Sequence, residues 1–476
     1  MYPERMIRYH FSLLQLENYR LDRFWRALSR RYLPPRALRQ EPVWTPKMRA
    51  VAALAWIIVG AACLYALKGG GWAWAAGTLI VGIAAFSVPM SIAVIALSPA
   101  DALAKRRRIM RAKARLALYP GLKVVGITGS YGKTSMKETV AALLGEKYDV
   151  LATPDSVNPP LGIAKLIVDR LTERTEVLIV EMGAYRKGDI RDLCAFKAPD
   201  IAILTGVNEA HLERFGNIEN TIAAKFELID CAKEGALAVM NADDDAVMRS
   251  YGSHIHKKKA VFYSSSASNE KAGYKPREGA RWSADGLESS FEIEGSGDAP
   301  YDVRVPLLGS YAPGMVAASI AVAERLGLSY DDIMRGLMRL RPVPHRLEPF
   351  MASGNVLVID DSYNGNTHGA REAMRVLARF ADRRKVYCTP GLVETGKMNR
   401  IIHQALGAQL AKAADLVILI RNSATEHMRE GLRAGGFAEG NVMEFGTAQE
   451  AHAALPGILR NGDVILFQND WPDNYF

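Results

Sequence analysis

The sequence predicts an α/β protein: a central and a C-terminal domain built on parallel sheets, preceded by a pair of long apolar helices. Three observations carry this. A glycine-rich turn, Gly126-Ile-Thr-Gly-Ser-Tyr-Gly-Lys-Thr134, joins an apolar run to a helical pattern. From Leu122 onward, short apolar runs alternate with helix-period segments, the mark of a parallel sheet covered on both faces. Ahead of them lie two uncharged stretches, each close to the ~20 residues that a bilayer-spanning helix needs.

Length and composition set bounds. A chain of 476 residues has room for about three domains, and 49% hydrophobic residues can fill sizeable cores. The net charge of +9 is concentrated in the first 115 residues. No basic stripe interleaved with aromatics follows, so nucleic acid is not an expected partner. Cys63, Cys194, Cys231 and Cys388 lack CxxC spacing and read as reduced thiols.

Residues 1–48 are basic and aromatic. Phe11, Leu14, Leu16, Tyr19, Leu21, Phe24, Trp25 and Leu28 form an apolar face among arginines, suited equally to a membrane surface or to the protein's own domains. Pro34-Pro35 ends that segment. Residues 49–118 are expected to form a transmembrane hairpin with a basic linker. Ala50–Leu67 and Trp72–Leu97 are its spans, and Lys68-Gly-Gly-Gly71 is its turn. Trp72 and Trp74 suit the lipid boundary, and basic clusters on both flanks put both ends in the cytoplasm. The expected location is therefore the cell membrane, multi-pass, with membrane lipids as partners and the later domains cytoplasmic. The alternative is a buried core hairpin.

Within residues 119–341, Lys123–Ile127, Val177–Met182, Asp200–Thr205 and Ala236–Met240 read as strands, and Ser135–Leu144 reads as a helix. At about 250–305 the chain becomes polar, with the alternating runs Ser290–Glu294 and Tyr301–Val305, a small β-rich addition. Arg341-Pro-Val-Pro344 is a hinge into a domain spanning 342–476, with strands at Val356–Ile359, Lys385–Cys388, Leu416–Ile420 and Val464–Phe467.

A glycine turn between strand and helix aims backbone N–H groups and the helix dipole at one point, which suits phosphate. Lys133 can reach outer phosphates, and the Thr134 hydroxyl can ligate Mg²⁺. Ligands collect at the carboxyl ends of such strands. Glu181, then Asn208, Glu209 and His211, then Asn241, Asp243 and Asp244 fall there. Taken singly, each is more often a helix cap or a loop group.

Taken together, these stretches resemble the Mur ligase family, ATP-dependent amide-forming enzymes of cell-wall precursor synthesis. The likeness is closest to the MurF-type branch, which adds D-alanyl-D-alanine to a muramoyl tripeptide. It covers about 120–476 and rests on TGSYGKTS at 128–135, EMGA at 181–184, NEAHLERFG at 208–216 and AAKFELI at 223–229. MNADDD at 240–245, PVPHRLE at 342–348 and DDSYNGN at 360–366 complete the set. The resemblance implies a P-loop-type ATPase domain using ATP and two Mg²⁺. Gly129, Ser130, Gly132, Lys133, Thr134 and Ser135 would hold phosphates, with Asn208, Asn241, Arg346 and Asp360 also toward the nucleotide. Thr134, Glu181, His211 and Lys225 would serve the metal, Lys225 as a carbamate; Lys133, Lys225, His211 and Glu181 form the implied catalytic set. Asn158, Tyr363, Asn364 and Asn366 would face the substrates, a peptide-bearing cell-wall precursor and an amino acid or dipeptide. Read alone, Lys225 is a solvated helix lysine.

The chain departs from the family at three places. The apolar hairpin stands where soluble members carry a UDP-sugar-binding domain. Tyr311, Ala312 and Met315 replace polar residues of a His-Asn motif, and Thr389-Pro-Gly-Leu-Val-Glu394 replaces a Gly-Asp-Met-Glu motif. The expected activity is a membrane-tethered ligase that forms an acyl phosphate and passes it to an amine. The rivals are a ligase for another envelope or poly-amino-acid polymer, a membrane-anchored P-loop ATPase or kinase regulating envelope assembly, and a relative that only binds nucleotide. ADP release that needs both a carboxylate and an amine favours the ligases, and ATP turnover without an amine favours the ATPase.

Overall fold

The computed structural model describes residues 2–30, 42–154, 157–208, 215–297, 299–363, 365–392, 395 and 398–468. The chain divides into two compact units, one ending at Arg107 and the other beginning at Arg108.

The first unit is helical: α1 (Tyr2–Leu16), α2 (Leu21–Arg30), α3 (Pro46–Ala84) and the start of α4 (Ser87–Ala117). Gly71, at φ 76°, breaks α3 into two arms, a backbone state open to glycine. Across the arms, a Cβ on Gly82 would sit 3.0 Å from Val59, and Lys47 pairs with Asp101 at 2.8 Å near the open end. The predicted second span, Trp72–Leu97, is not one helix: it breaks at Ala85–Phe86, just before Pro89, whose ring disfavours a continuous i→i−4 ladder. Phe11 and Leu14 of α1 and Phe24 and Leu28 of α2 are buried against Met48, Val51, Val59, Phe86 and Met90. The apolar face of the N-terminal segment thus packs on the chain's own hairpin. Pro34-Pro35 lies outside the described residues.

The middle domain alternates β1 (Lys123–Thr128), α5 (Lys133–Leu144), β2 (Val150–Ala152), α6 (Pro160–Arg170), β3 (Val177–Glu181), α7 (Asp189–Cys194), β4 (Ile201–Leu204), α8 (Ile218–Cys231), β5 (Leu237–Asn241), α9 (Asp245–Ser250) and β6 (Lys259–Tyr263). The strands form one parallel sheet in the order β2-β3-β1-β4-β5-β6. Val125 and Ile127 enter the core on one face, and Val124 enters the core on the other. The period-2 register of a fully buried strand is the cause. On the first face α5 presents Met136, Val140, Leu143 and Leu144, one turn apart. Lys259–Tyr263 falls inside the stretch assigned to the β-rich addition, yet it pairs parallel with β5 as the edge of the main sheet. The addition itself is an antiparallel sheet of β7 (Lys275–Pro276), β8 (Arg281–Trp282), β9 (Ser289–Glu294) and β10 (Tyr301–Val305). Helices α10 (Ala312–Arg325) and α11 (Tyr330–Met338) return against α5.

The C-terminal domain runs β11 (Glu348–Ala352), β12 (Val356–Asp361), α12 (Thr367–Ala378), β13 (Lys385–Thr389), α13 (Asn399–Leu410), β14 (Leu416–Ile420), α14 (Thr425–Ala434), β15 (Val442–Phe445), α15 (Ala448–Ile458) and β16 (Val464–Gln468). Its sheet order is β11-β12-β16-β13-β14-β15, parallel except for β11. In the middle domain the strand order turns at β1, with β3 on one side and β4 on the other. That point opens a crevice beyond the strand ends.

Candidate active site

The loop after β1 is shaped for an anion. Gly129 has φ 154°, and a Cβ there would lie 1.9 Å from the Thr205 hydroxyl. Gly132, at φ 71°, is the N-cap of α5 and offers no side chain, so the first-turn N–H groups stay uncapped by one. Ser130 N–H donates to Gly206 O at 2.8 Å, while the Ser130 hydroxyl is buried without a partner. An orphaned buried hydroxyl beside an uncapped helix start fits a phosphate oxygen. Lys133 folds back to donate to Gly129 O at 2.9 Å. Ser135 is buried at the base of α5.

Behind the loop stands a knot of opposite charges. Glu181, at the end of β3, is 1% exposed. Its carboxylate accepts from the Thr134 hydroxyl at 2.9 Å and from Asn158 Nδ2 at 3.4 Å, and Lys137 Nζ lies 3.9 Å away. Lys137 is wholly buried and donates to Thr153 O at 2.6 Å. The sequence reading missed this residue; its signal is a lysine one helical turn after Lys133, on the apolar face of α5. Lys225, on α8, is 3% exposed, with its Nζ 6.0 Å from the Phe215 ring centroid. Burial, and then the charge of Lys133, push its pKa down to about 7, against the pull of Asp189 and Glu181. Burial lowers Lys133 as well; Glu181 opposes that shift and Arg346 adds to it. The reading of Lys225 as a solvated lysine therefore fails: it faces the phosphate loop. His211 lies outside the described residues, as do Glu209, Asn364 and Glu394.

A second network backs the loop. Tyr131 OH donates to Asp244 Oδ2 at 2.9 Å, and burial and that carboxylate raise its pKa well above the ordinary value. Asp244 also accepts from Val207 N at 2.8 Å and caps α9 through Val247 N at 2.9 Å. Asn241 donates to Thr205 O at 3.0 Å. Asn208 is buried next to Val207. The sequence raised Asp244 only as a loop candidate and did not raise Tyr131.

From the C-terminal domain, Arg346 lies over the Tyr363 ring, 4.5 Å from its centroid. Asp360 accepts from Ser362 N at 2.9 Å and contacts His345 Nδ1 at 2.7 Å. Asn366 is engaged locally, capping α12 through Gly369 N at 2.9 Å. Burial raises Asp361 to about 7 although Arg346 and the Leu347 N–H oppose it. Ala312 and Met315, at the former His-Asn position, are buried in the middle-domain core. The structure thus gathers Ser130, Lys133, Thr134, Glu181, Asn158 and Lys225 at the end of β1 and β3. Arg346 faces them, and Asn241 stands at the end of β5, two strands from β1.

Residues 127–323 match the family model of the Mur ligase middle domain, and residues 345–468 match that of the Mur ligase, glutamate ligase domain. The UDP-N-acetylmuramoyl-tripeptide–D-alanyl-D-alanine ligase of Escherichia coli K12 is 31% identical over 294 residues, covering 62% of this chain and 63% of that one. The chain therefore spans just under two thirds of that relative. The protein of the same name in Mycobacterium bovis is 30% identical over 393 residues, covering 78% of this chain and 74% of its own length. The solved MurF ligase of Thermotoga maritima, in complex with ADP, aligns with a TM-score of 0.66 at 27% identity, over 76% of this chain and 80% of that one.

Proposed function

The chain belongs to the Mur ligase family, and on that premise we propose that it is an ATP-dependent amide ligase of peptidoglycan synthesis. It joins an amino acid or dipeptide such as D-alanyl-D-alanine to the peptide carboxylate of a muramoyl precursor. One observation carries the reading: Lys133, Thr134, Glu181 and Lys225 converge behind a phosphate loop whose buried Ser130 hydroxyl has no partner.

A carboxylate does not acylate an amine near neutral pH, because its leaving group would be oxide. Phosphorylation removes that obstacle. A carboxylate oxygen attacks the γ-phosphorus of ATP, the bridging P–O bond breaks toward ADP, and an acyl phosphate forms. The amine nitrogen then attacks the acyl carbon, phosphate leaves with the C–O bond pair, and the amine loses a proton. The chain's part is placement and charge. The start of α5 and Ser130 hold phosphate oxygens, Lys133 meets the charge that develops on the moving phosphoryl group, and Arg346 supplies a second positive charge from the other domain.

Thr134 and Glu181 are hard oxygen donors of the kind Mg²⁺ takes. With a carbamate on Lys225 they would hold the ion, which neutralises phosphate charge when bound. The buried Lys225 amine, lowered to about 7, supports that carbamate. A neutral amine adds to CO₂, an N–C bond forms, one C=O pair moves onto oxygen, and a proton leaves. The new anion then faces Lys133.

The N-terminal helices span the membrane in this reading, with both ends in the cytoplasm. Pro46–Ala84 and Ser87–Ala117 carry apolar windows long enough to cross a bilayer, and the break at Gly71 divides the apolar stretch into a first arm ahead of it and a second that continues into α4. Leu64, Trp72, Ile80 and Ile95 are exposed, whereas a soluble core helix would bury them.

The test uses detergent-solubilised protein with ATP, UDP-linked muramoyl tripeptide and D-alanyl-D-alanine. ADP release should require both the carboxylate and the amine, and mass spectrometry should show the amide. ADP release at full rate without amine would replace this reading with a membrane-anchored ATPase.

A further inference from the structure

Helix α12 carries a face that none of the chemistry above uses. His368, Glu372 and Arg379 are spaced by four and seven residues, so they share one side of the helix. All three touch the middle domain. Arg379, the residue that closes α12, donates to Leu308 O at 2.8 Å, and its guanidinium lies 3.6 Å from the centre of the Trp282 ring. Glu372 accepts from Ser310 N at 2.5 Å. In the first turn, the His368 ring lies parallel to that of Tyr131, at an interplanar angle of 1° with centroids 5.8 Å apart.

This last contact falls on the phosphate loop itself. Tyr131 sits between Ser130 and Gly132, and its backbone carbonyl accepts from the Thr205 hydroxyl at 2.5 Å. Its phenol is fixed by Asp244, which also holds Val207 and the start of α9. The phenol packs directly on Gly206, where a Cβ would meet its oxygen at 2.1 Å. One ring therefore joins the phosphate loop, the loop after β4 and the C-terminal domain. On the other side of the contact, α12 opens directly after the stretch that contains Tyr363 and is capped by Asn366.

We propose that His368 is a positioning residue for ligation: by stacking on Tyr131 it sets the register of the loop before α12, which the family resemblance turns toward the substrates, against the phosphate loop. This rests on the assignment of that loop to ATP. Glu372 and Arg379 anchor the far end of the same face, so α12 acts as a ruler between the domains. His368 touches no reacting atom. Its loss should spare nucleotide binding and weaken the step that needs both domains.

The experiment compares the full chain in detergent with His368→Ala, His368→Phe, Tyr131→Ala and the double alanine variant. The readouts are ADP affinity, the KM for amine, and kcat for amide formation. His368→Ala should bind ADP within about 2-fold of the parent chain, while kcat/KM for amine falls roughly 10-fold, the scale of one lost aromatic pair. His368→Phe keeps a flat ring and should recover most of the loss. The double variant should lose little more than Tyr131→Ala alone. An unchanged kcat/KM for amine in His368→Ala, a loss that phenylalanine does not repair, or additive losses in the double variant would each overturn the proposal while ADP binding stands. Absence of ADP binding in the parent chain would instead remove the ATP reading, and this inference with it.

Discussion

The buried amine of Lys225 sets stability against activity. A fall from 10.5 to about 7 corresponds to about 5 kcal/mol of preference for the neutral form, at ~1.36 kcal/mol per pH unit. The folded chain binds fewer protons here than the unfolded chain between pH 7 and 10.5. Stability must therefore rise with pH across that window, and the cost of the site is fully present below it. Integration gives a cost of about 4 kcal/mol at pH 7 and about 2 kcal/mol at pH 9. Lys225→Met removes the titrating group and keeps a similar volume. In Mg²⁺-free, CO₂-depleted buffer at pH 7 the variant should be more stable by ~1 kcal/mol or more, once imperfect packing is set against the gain. The advantage should shrink by pH 9. Thermal unfolding of the detergent-solubilised chain reads this as a higher midpoint at pH 7. Turnover should move the opposite way and fall by ~10²-fold or more, because the proposed anionic ligand could not form. In Lys225→Ala, acetate should restore part of the activity by filling the vacated space. A Lys225→Met variant that is less stable than the parent at pH 7, or one that is fully active, would refute the reasoning.

Three further outcomes are expected. Lys133→Ala should lose ~10²-fold or more in turnover with its unfolding midpoint little changed; near-normal activity would remove Lys133 from the phosphate site. Asp361, raised to about 7 by burial, titrates with the opposite sign to Lys225: its folded state holds the proton longer, so its contribution is intact below about pH 4 and is lost as pH rises through 7. Asp361→Asn should therefore gain stability over the parent between pH 5 and 8, checked by thermal unfolding at both values. Reporter tags at residues 1 and 120 should be cytoplasmic and a tag between Lys68 and Gly71 external; an internal loop tag would reject the hairpin topology.

Strands that run through the centre of a sheet were legible because burial on both faces leaves a continuous apolar signature. Val177–Glu181 and Leu416–Ile420 show it, and they were read almost to the residue. Edge strands carry less of that signal. Val150–Ala152 is three residues long and only partly buried, and Lys259–Tyr263 is half-exposed over most of its length, so its run looked like the start of the addition. Glu348–Ala352 pairs antiparallel at an edge of the C-terminal sheet with Met351 and Ala352 exposed. The break at Ala85–Phe86 was hidden for another reason: hydropathy sums over a window and does not register where a proline interrupts the helix.

The site was legible where its geometry is local. Gly129, Gly132, Lys133 and Thr134 stand within six residues, and a strand and a helix fix their relation. It was illegible where side chains from distant segments meet. Lys137 stands out only as a lysine on the apolar face of α5, and what it meets there shows only when β3 brings Glu181 and the residue after β2 brings the Thr153 carbonyl against it. Lys225 shows why residue type and spacing could not decide its role. Its neighbours Phe226, Leu228 and Ile229 are buried, so the helix there is apolar almost all round. A lysine in such a stretch either snorkels to water or is held inside. Only the fold, which places Lys133 and Glu181 on one side of it and Asp189 nearby, shows that it is held inside. An amine held there, its charged form disfavoured by several kcal/mol through burial and Lys133, is poorly explained by stability. With the proposed carbamate, the same position would instead set an anion beside Lys133, and the charged form would be the favoured one.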